Sequence, residues 1–173
     1  MTDQQQTSRQ YLRAINIVFF GLLGGQLLFA LITLYLHLGL DYSFGEVADI
    51  QNIFMILVPV MVLNGFVTGQ LVYNSRIKKA RVMNTLIEKT AAYRGAIVVR
   101  LAMLEGASLF AIVVYLLTAD LWFIGMAGIV IVYFFMLRPS AEKIVEELGL
   151  DPSETHKFLD PDQIVAETAS NNY

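Results

Sequence analysis

Residues 15–36 read INIVFFGLLGGQLLFALITLYL, an apolar run of 22 residues without a charge. About 20 apolar residues in a helix cross the hydrocarbon of a bilayer. No water is available there, so each backbone N–H and C=O must bond within its own segment, and the run is predicted to be a helix. It is too long for the apolar region of a cleaved leader, and no small-x-small cleavage site follows it. It reads as a retained anchor, with Arg9 and Arg13 before it.

Three similar runs follow. Residues 53–72 and 121–137 carry no charge, and residues 95–117 carry only Arg100 and Glu105. The expectation is an all-α polytopic membrane protein with four transmembrane helices in an antiparallel bundle over residues 1–138. An acidic cytoplasmic tail with short helices, residues 139–173, completes it. Composition agrees. Of the 173 residues, 56% are hydrophobic and 16% charged, and the net charge is −3. A soluble domain carries about 25% charge. Mean hydropathy is +0.58. These values exclude a disordered chain, a disulfide scaffold and a nucleic-acid binder. With no cysteine, thiol chemistry, Cys-ligated zinc and iron–sulfur clusters are excluded too.

Lys and Arg in short loops set orientation. The N-terminal segment has Arg9 and Arg13, and the 38–52 loop has only the acids Asp41, Glu46 and Asp49. The next loop has Arg76, Lys78, Lys79, Arg81, Lys89 and Arg94; the 118–120 connection has only Asp120; the last segment opens with Arg138 and Lys143. The alternation predicts cytoplasmic termini, and Trp122, Tyr35, Tyr42 and Tyr11 stand near span ends, where aromatic belts lie. The 118–120 connection is short enough to force spans three and four into a hairpin.

Within residues 75–94 the apolar Ile77, Ala80, Met83, Leu86 or Ile87, and Ala91 recur at helical spacing. Spans two and three are therefore expected to continue as helices beyond the bilayer. Arg76, Lys78, Lys79 and Arg81 form either a solvated charged face or a contact with anionic lipid headgroups. In the tail, Ser140 and Gly149 bracket one short helix, and Asp151-Pro152-Ser153-Glu154 opens a second. Asp160-Pro161-Asp162 repeats that device, so two or three short helices are expected; fraying is expected from Glu167 to Tyr173.

Polar groups inside spans are costly, which makes them functional pointers. Gln26, Asn64 and Glu105 fall near the middles of spans one, two and three and form an expected midplane layer. Ionising Glu105 in hydrocarbon is unfavourable unless it is paired. One reading is a carboxyl bonded to Asn64 or Gln26 that holds the bundle together; another is a proton- or cation-handling group on a transport path; a third is a contact with a partner subunit. Arg100 is expected to snorkel to the headgroups or to pair with another helix. Gly21-x-x-x-Gly25, Gly65-x-x-x-Gly69 and Ala102-x-x-x-Gly106 allow close helix approach, within one bundle or between copies. His37 and His156 are too far apart along the chain to suggest a shared metal site. No phosphate loop, H-E-x-x-H, G-x-S-x-G or Ser/His/Asp grouping is present, and no cofactor is implied.

The stretch from Tyr93-Arg94 through Arg100 and Leu104-Glu105-Gly106 to Leu109-Phe110 and Tyr115-Leu116-Leu117-Thr118, then Leu137-Arg138-Pro139-Ser140 and Lys143-Ile144, resembles a group of small uncharacterised four-helix membrane proteins of Bacteroidota. The resemblance covers about the C-terminal half. It implies a bacterial inner-membrane location and no particular activity. Spans two and three also resemble the hairpin of a rotary ATP synthase proteolipid, with Glu105 matching the ion-carrying carboxylate. Their loop is far longer, however, and span two lacks the repeated small-residue pattern. The sequence thus points to a non-enzymatic accessory or assembly subunit. The alternative is an oligomeric proton- or ion-coupled transporter or channel using Glu105. The expected partners are the bilayer, anionic headgroups, and a second copy or another membrane protein.

Overall fold

The computed structural model describes residues 5–40 and 48–167. Asp41, Tyr42 and Glu46, and residues 168–173 of the stretch expected to fray, lie outside the described residues; Glu167, the first of that stretch, ends a strand instead. The element order is β1 (Gln5–Thr7), α1 (Ser8–Leu40), α2 (Ala48–Arg81), α3 (Leu86–Thr118), α4 (Leu121–Met136), α5 (Ala141–Leu148), α6 (Pro152–Leu159) and β2 (Ile164–Glu167). The all-α expectation holds for the six helices, to which one two-stranded antiparallel sheet is added.

Helices α1, α2 and α3 are each long and apolar enough to cross a membrane. A fourth crossing qualifies only if α4 and α5 are counted together as one broken span. At about 1.5 Å per residue, the 16 residues of α4 reach about 24 Å, short of a 30 Å hydrocarbon core. The first three helices run past their apolar runs; in α2 the extension keeps buried apolar residues, Ile77 and Ala80, at helical spacing. The α2–α3 connection is reduced to residues 82–85. Thr85 caps α3 with Glu88: the Glu88 N–H donates to Thr85 Oγ1 and the Thr85 N–H donates to Glu88 Oε2, each at 3.2 Å. This is the Thr-x-x-Glu box in which two orphan donors at a helix start are satisfied reciprocally.

The chain forms two compact units, and α1, α2 and α3 contribute residues to both. One comprises Met1–Phe19, Leu71–Val99 and Arg138–Tyr173; the other comprises Phe20–Gln70 and Arg100–Leu137.

In the first unit the tail folds back on both ends of the α2–α3 hairpin. Ser140 caps α5 by accepting from the Lys143 N–H, and Gly149 ends it at φ 60°, a left-handed conformation that glycine adopts without a Cβ clash. Asp151 caps α6, with Pro152 at its first position and Glu154 closing the box. Of the two or three tail helices expected, α5 and α6 form among the described residues, and Asp160-Pro161-Asp162 does not open a third. Asp160 ends α6, its N–H donating to the His156 carbonyl, and the chain then turns into β2 instead of a helix. The reason is a partner distant in sequence: β1 pairs with β2, placing Gln5 opposite Glu167 and Gln6 opposite Ala166. Ser8 Oγ donates to the Phe158 carbonyl, Tyr11 OH to the Thr90 carbonyl at 2.6 Å, and Thr90 Oγ1 to the Val165 carbonyl at 2.7 Å. These three bonds join the α1 start, the α3 start and the tail over a core of Tyr11, Tyr93, Ile144, Leu148 and Phe158. Lys89 and Glu154 form an ion pair of 2.7 Å whose side chains are only 11% and 14% exposed.

Backbone N–H groups hold the Asp151 carboxyl below the ordinary aspartate value of 3.8; the Glu154 N–H is the largest cause, followed by the Ser153 hydroxyl. A carboxyl lowered by folding stabilises the fold above its unfolded pKa, and that contribution is lost as pH falls through the folded value. The Ser153 and Glu154 amide resonances are therefore expected to titrate with a midpoint below pH 3.8. A midpoint at or above that value would contradict the cap.

Candidate functional site

The second unit holds Gln26, Asn64 and Glu105, the residues of the expected polar layer, and α3 is its central helix. Half of the apolar window of α3 is buried, against 22% for α1 and for α2. Glycine brings α2 onto it. A Cβ on Gly65 would lie 3.0 Å from the Met103 carbonyl oxygen and 3.0 Å from Ala107 Cβ, and one on Gly69 would lie 3.5 Å from Met103 Cβ. Gly65-x-x-x-Gly69 is therefore a packing face within the chain. Gly21, Gly25 and Gly106 differ, for a Cβ on each would meet nothing within 4 Å.

The three polar residues share one level. Gly65 sits opposite the interval 103–107, so the adjacent Asn64 stands at the height of Glu105. Gln26 faces Ser108, three residues along α3 from Glu105, and accepts a hydrogen bond from the Ser108 hydroxyl; both are fully buried. Asn64 is exposed, and its Oδ1 accepts from the Thr68 hydroxyl one turn away at 3.1 Å. Glu105 is half-buried and, among the described residues, makes no hydrogen bond or ion pair. The layer is thus level but not joined: no bond links Gln26, Asn64 and Glu105 to each other among the described residues.

Arg100 is 9% exposed, and its Nη2 donates to the Tyr133 hydroxyl on α4 at 3.0 Å. Tyr133 also packs on Phe66 of α2, ring centroids 4.5 Å apart. The pairing with another helix is thus present, a hydroxyl lying within reach of the guanidinium. His37 contacts the Leu116 carbonyl at 3.0 Å and the Tyr115 ring. Gln51 donates to Asp120 Oδ2 at 3.0 Å, tying α2 to the α3–α4 turn.

Three partnerships were not expected from the sequence, those of Ser108, Thr68 and Tyr133, although Ser108 stood out as a small residue on the Glu105 face. Spacing signals two of them. Ser108 is three residues from Glu105, and Thr68 is four from Asn64, both neighbours on a helix surface. Tyr133 is the sole tyrosine in an otherwise apolar run, a signal that names no partner.

The α3–α4 turn is tight at some cost. Ala119 adopts φ 56°, and left-handed backbone costs an L-residue about 1–2 kcal/mol. Ala119→Gly relieves this, and it is expected to raise stability by about 0.5–1 kcal/mol after the greater freedom of glycine in the unfolded chain is counted. Denaturation in detergent checks it; a drop in stability would show that the Cβ of Ala119 is needed there.

In the first unit, Arg76, Lys78 and Lys79 are exposed on the last turns of α2. Arg81 Nε donates to the Glu147 carbonyl at 2.7 Å, so this residue fastens the tail. Among the described residues no group of three or more His, Cys, Asp or Glu gathers to hold a metal. No family model matches the chain, and neither does any curated protein or solved structure.

Proposed function

We propose that the chain is a non-enzymatic accessory or assembly subunit of a bacterial inner membrane, with both termini in the cytoplasm. The observation that carries this reading is the first unit. Both ends of the described chain and the α2–α3 hairpin are combined into one capped, ion-paired module, on helices apolar enough to cross a membrane. Such a module is a rigid platform for a partner, and its exposed Arg76, Lys78 and Lys79 suit anionic headgroups. The distribution of Lys and Arg supports the orientation, since Arg100 is the single basic residue sunk in a span.

A second reading rests on Glu105. A half-buried carboxyl without a partner among the described residues, inside a span, suits a proton- or ion-coupled transporter. Flux in proteoliposomes separates the two. The subunit reading expects wild type and Glu105→Gln to match empty vesicles. Flux in wild type that Glu105→Gln abolishes would replace it with the transporter. For orientation, Asn52→Cys is expected to be labelled from outside intact cells; labelling only after lysis would reverse the topology.

A further inference from the structure

In the first unit α2 and α3 lie side by side where their apolar runs stop. The run on α2 ends at Val72, and the run on α3 begins at Gly95. Just beyond those ends stand Arg76, Lys79 and Arg94. Arg76 is four residues past Val72, about 6 Å along the helix. In a chain that spans a bilayer this is the level of the lipid headgroups.

Arg76 starts from the α3-facing side of α2, three residues after Tyr73 and four before Ala80, both buried. Its guanidinium reaches across to α3: Nη1 lies 3.6 Å from where a Cβ on Gly95 would stand. Gly95 thus leaves the surface of α3 bare beside a guanidinium. Ala91, exposed and one turn earlier, continues the bare strip. Arg94 precedes Gly95 in the chain and is half-buried, and Lys79 is exposed one turn beyond Arg76.

No counter-charge answers these three cations. Their side chains make no hydrogen bond or ion pair among the described residues. Carboxylates of the tail answer other groups: Glu147 the Tyr73 hydroxyl, Glu154 Lys89, and Asp162 Arg9. The Arg94 charge acts on the Tyr11 hydroxyl, but that group is neutral and already donates to the Thr90 carbonyl.

A bare strip of helix flanked by unanswered cations is complementary to an anion, and the planar fork of arginine matches phosphate oxygens. We propose that the corner between Arg76 and Gly95 binds the phosphate of an anionic phospholipid, with Arg76 and Arg94 donating to its oxygens and Lys79 adding charge. A lipid fits better than a free ion, because the next turns toward the span, Val72 on α2 and Val98 on α3, are apolar and partly exposed. Acyl chains would run over them. Such a site requires a chain that sits in a membrane, so it rests on the membrane-subunit reading and gives its headgroup contact a place and a chemistry.

The test offers the delipidated full-length chain, in detergent, phosphatidylglycerol and phosphatidylcholine of equal acyl length in equal amounts. Native mass spectrometry counts the lipid retained. Phosphatidylglycerol is expected to be preferred, because the choline of the other lipid offsets its phosphate. Arg76→Gln and Arg94→Gln should each reduce that preference about fivefold, the usual worth of one basic residue at an anionic surface. Gly95→Met should remove most of it with every charge kept, since its side chain fills the bare strip. The new side chain meets only the tip of a flexible arginine, so the variant should still fold. Arg13→Gln, just before the first apolar run, is the control and should leave the preference unchanged. Wild type without a preference, an equal loss in Arg13→Gln, or full retention in Gly95→Met would overturn the site. Displacement of the lipid by inorganic phosphate would assign the corner to a free anion and overturn the lipid. A chain released from membranes by carbonate would overturn the membrane reading itself; a carbonate-resistant chain without the preference overturns this proposal alone.

Discussion

Glu154→Ala is expected to destabilise the first unit by about 3 kcal/mol, the cost of leaving a covered charge unpaired when one partner of a buried ion pair is removed. Its carboxylate holds Lys89 at 2.7 Å, and Lys89 is 8% exposed. The same side chain accepts the Asp151 N–H at the α6 cap, so a further loss of about 1 kcal/mol is expected from the opened capping box. Amide hydrogen exchange reads the effect. The amides of α6 and β2 should exchange at least a hundredfold faster, since each 1.4 kcal/mol is a factor of ten. Glu154→Gln separates the two contributions, because its amide oxygen still closes the box while the charge is gone. Replacing both partners together, Lys89→Met with Glu154→Leu, should recover much of the loss, since no charge is then left without its counterpart. Unchanged exchange in Glu154→Ala would mean that Lys89 reaches water without its partner.

Gly65→Leu is expected to have a comparable effect in the second unit. Even a Cβ at this position would stand 3.0 Å from the Met103 carbonyl oxygen, which is backbone and cannot swing aside. Overpacking of a filled contact costs about 1–3 kcal/mol, and a leucine on a glycine floor belongs at the upper end. The helices must separate, and the Arg100–Tyr133 and Phe66–Tyr133 contacts, which rest on the same α2–α3 approach, should weaken with them. Gly21→Leu is the control. Open space surrounds its Cβ position, so its effect on folding of the single chain should stay within about 0.5 kcal/mol. Denaturant titration of both variants in detergent tests this. Equal losses would show that the close approach at Gly65 does not govern the effect, since helix propensity favours leucine at both positions.

The contrast between the two glycine motifs shows where sequence reasoning reaches its end. Gly21-x-x-x-Gly25 and Gly65-x-x-x-Gly69 are the same pattern, yet the second packs on α3 and the first meets nothing within 4 Å at its Cβ positions. Spacing shows that a face is small, but not which face another helix chooses. Gln26, Asn64 and Glu105 were likewise legible as a level set, because height along a helix follows from counting residues. Their partners were not. Gln26 bonds Ser108 rather than Glu105, since hydrogen bonds depend on rotation about the helix and on which neighbour lies across.

What the sequence by itself determined was everything local. It set the apolar runs that make α1 to α3 long enough to cross a membrane, the continuation of α2 and α3 past them, and the caps at Ser140, Gly149 and Asp151. Each is decided within a few residues, by periodicity, charge and backbone preference. Only the tertiary structure decided that residues 164–167 form a strand against residues 5–7, that Lys89 finds Glu154, and that Arg100 turns to Tyr133. Asp160-Pro161-Asp162 carries a plausible helix start, and a strand partner about 160 residues away in sequence overrides it. A long-range pairing is settled by the whole chain's packing, which no local pattern encodes.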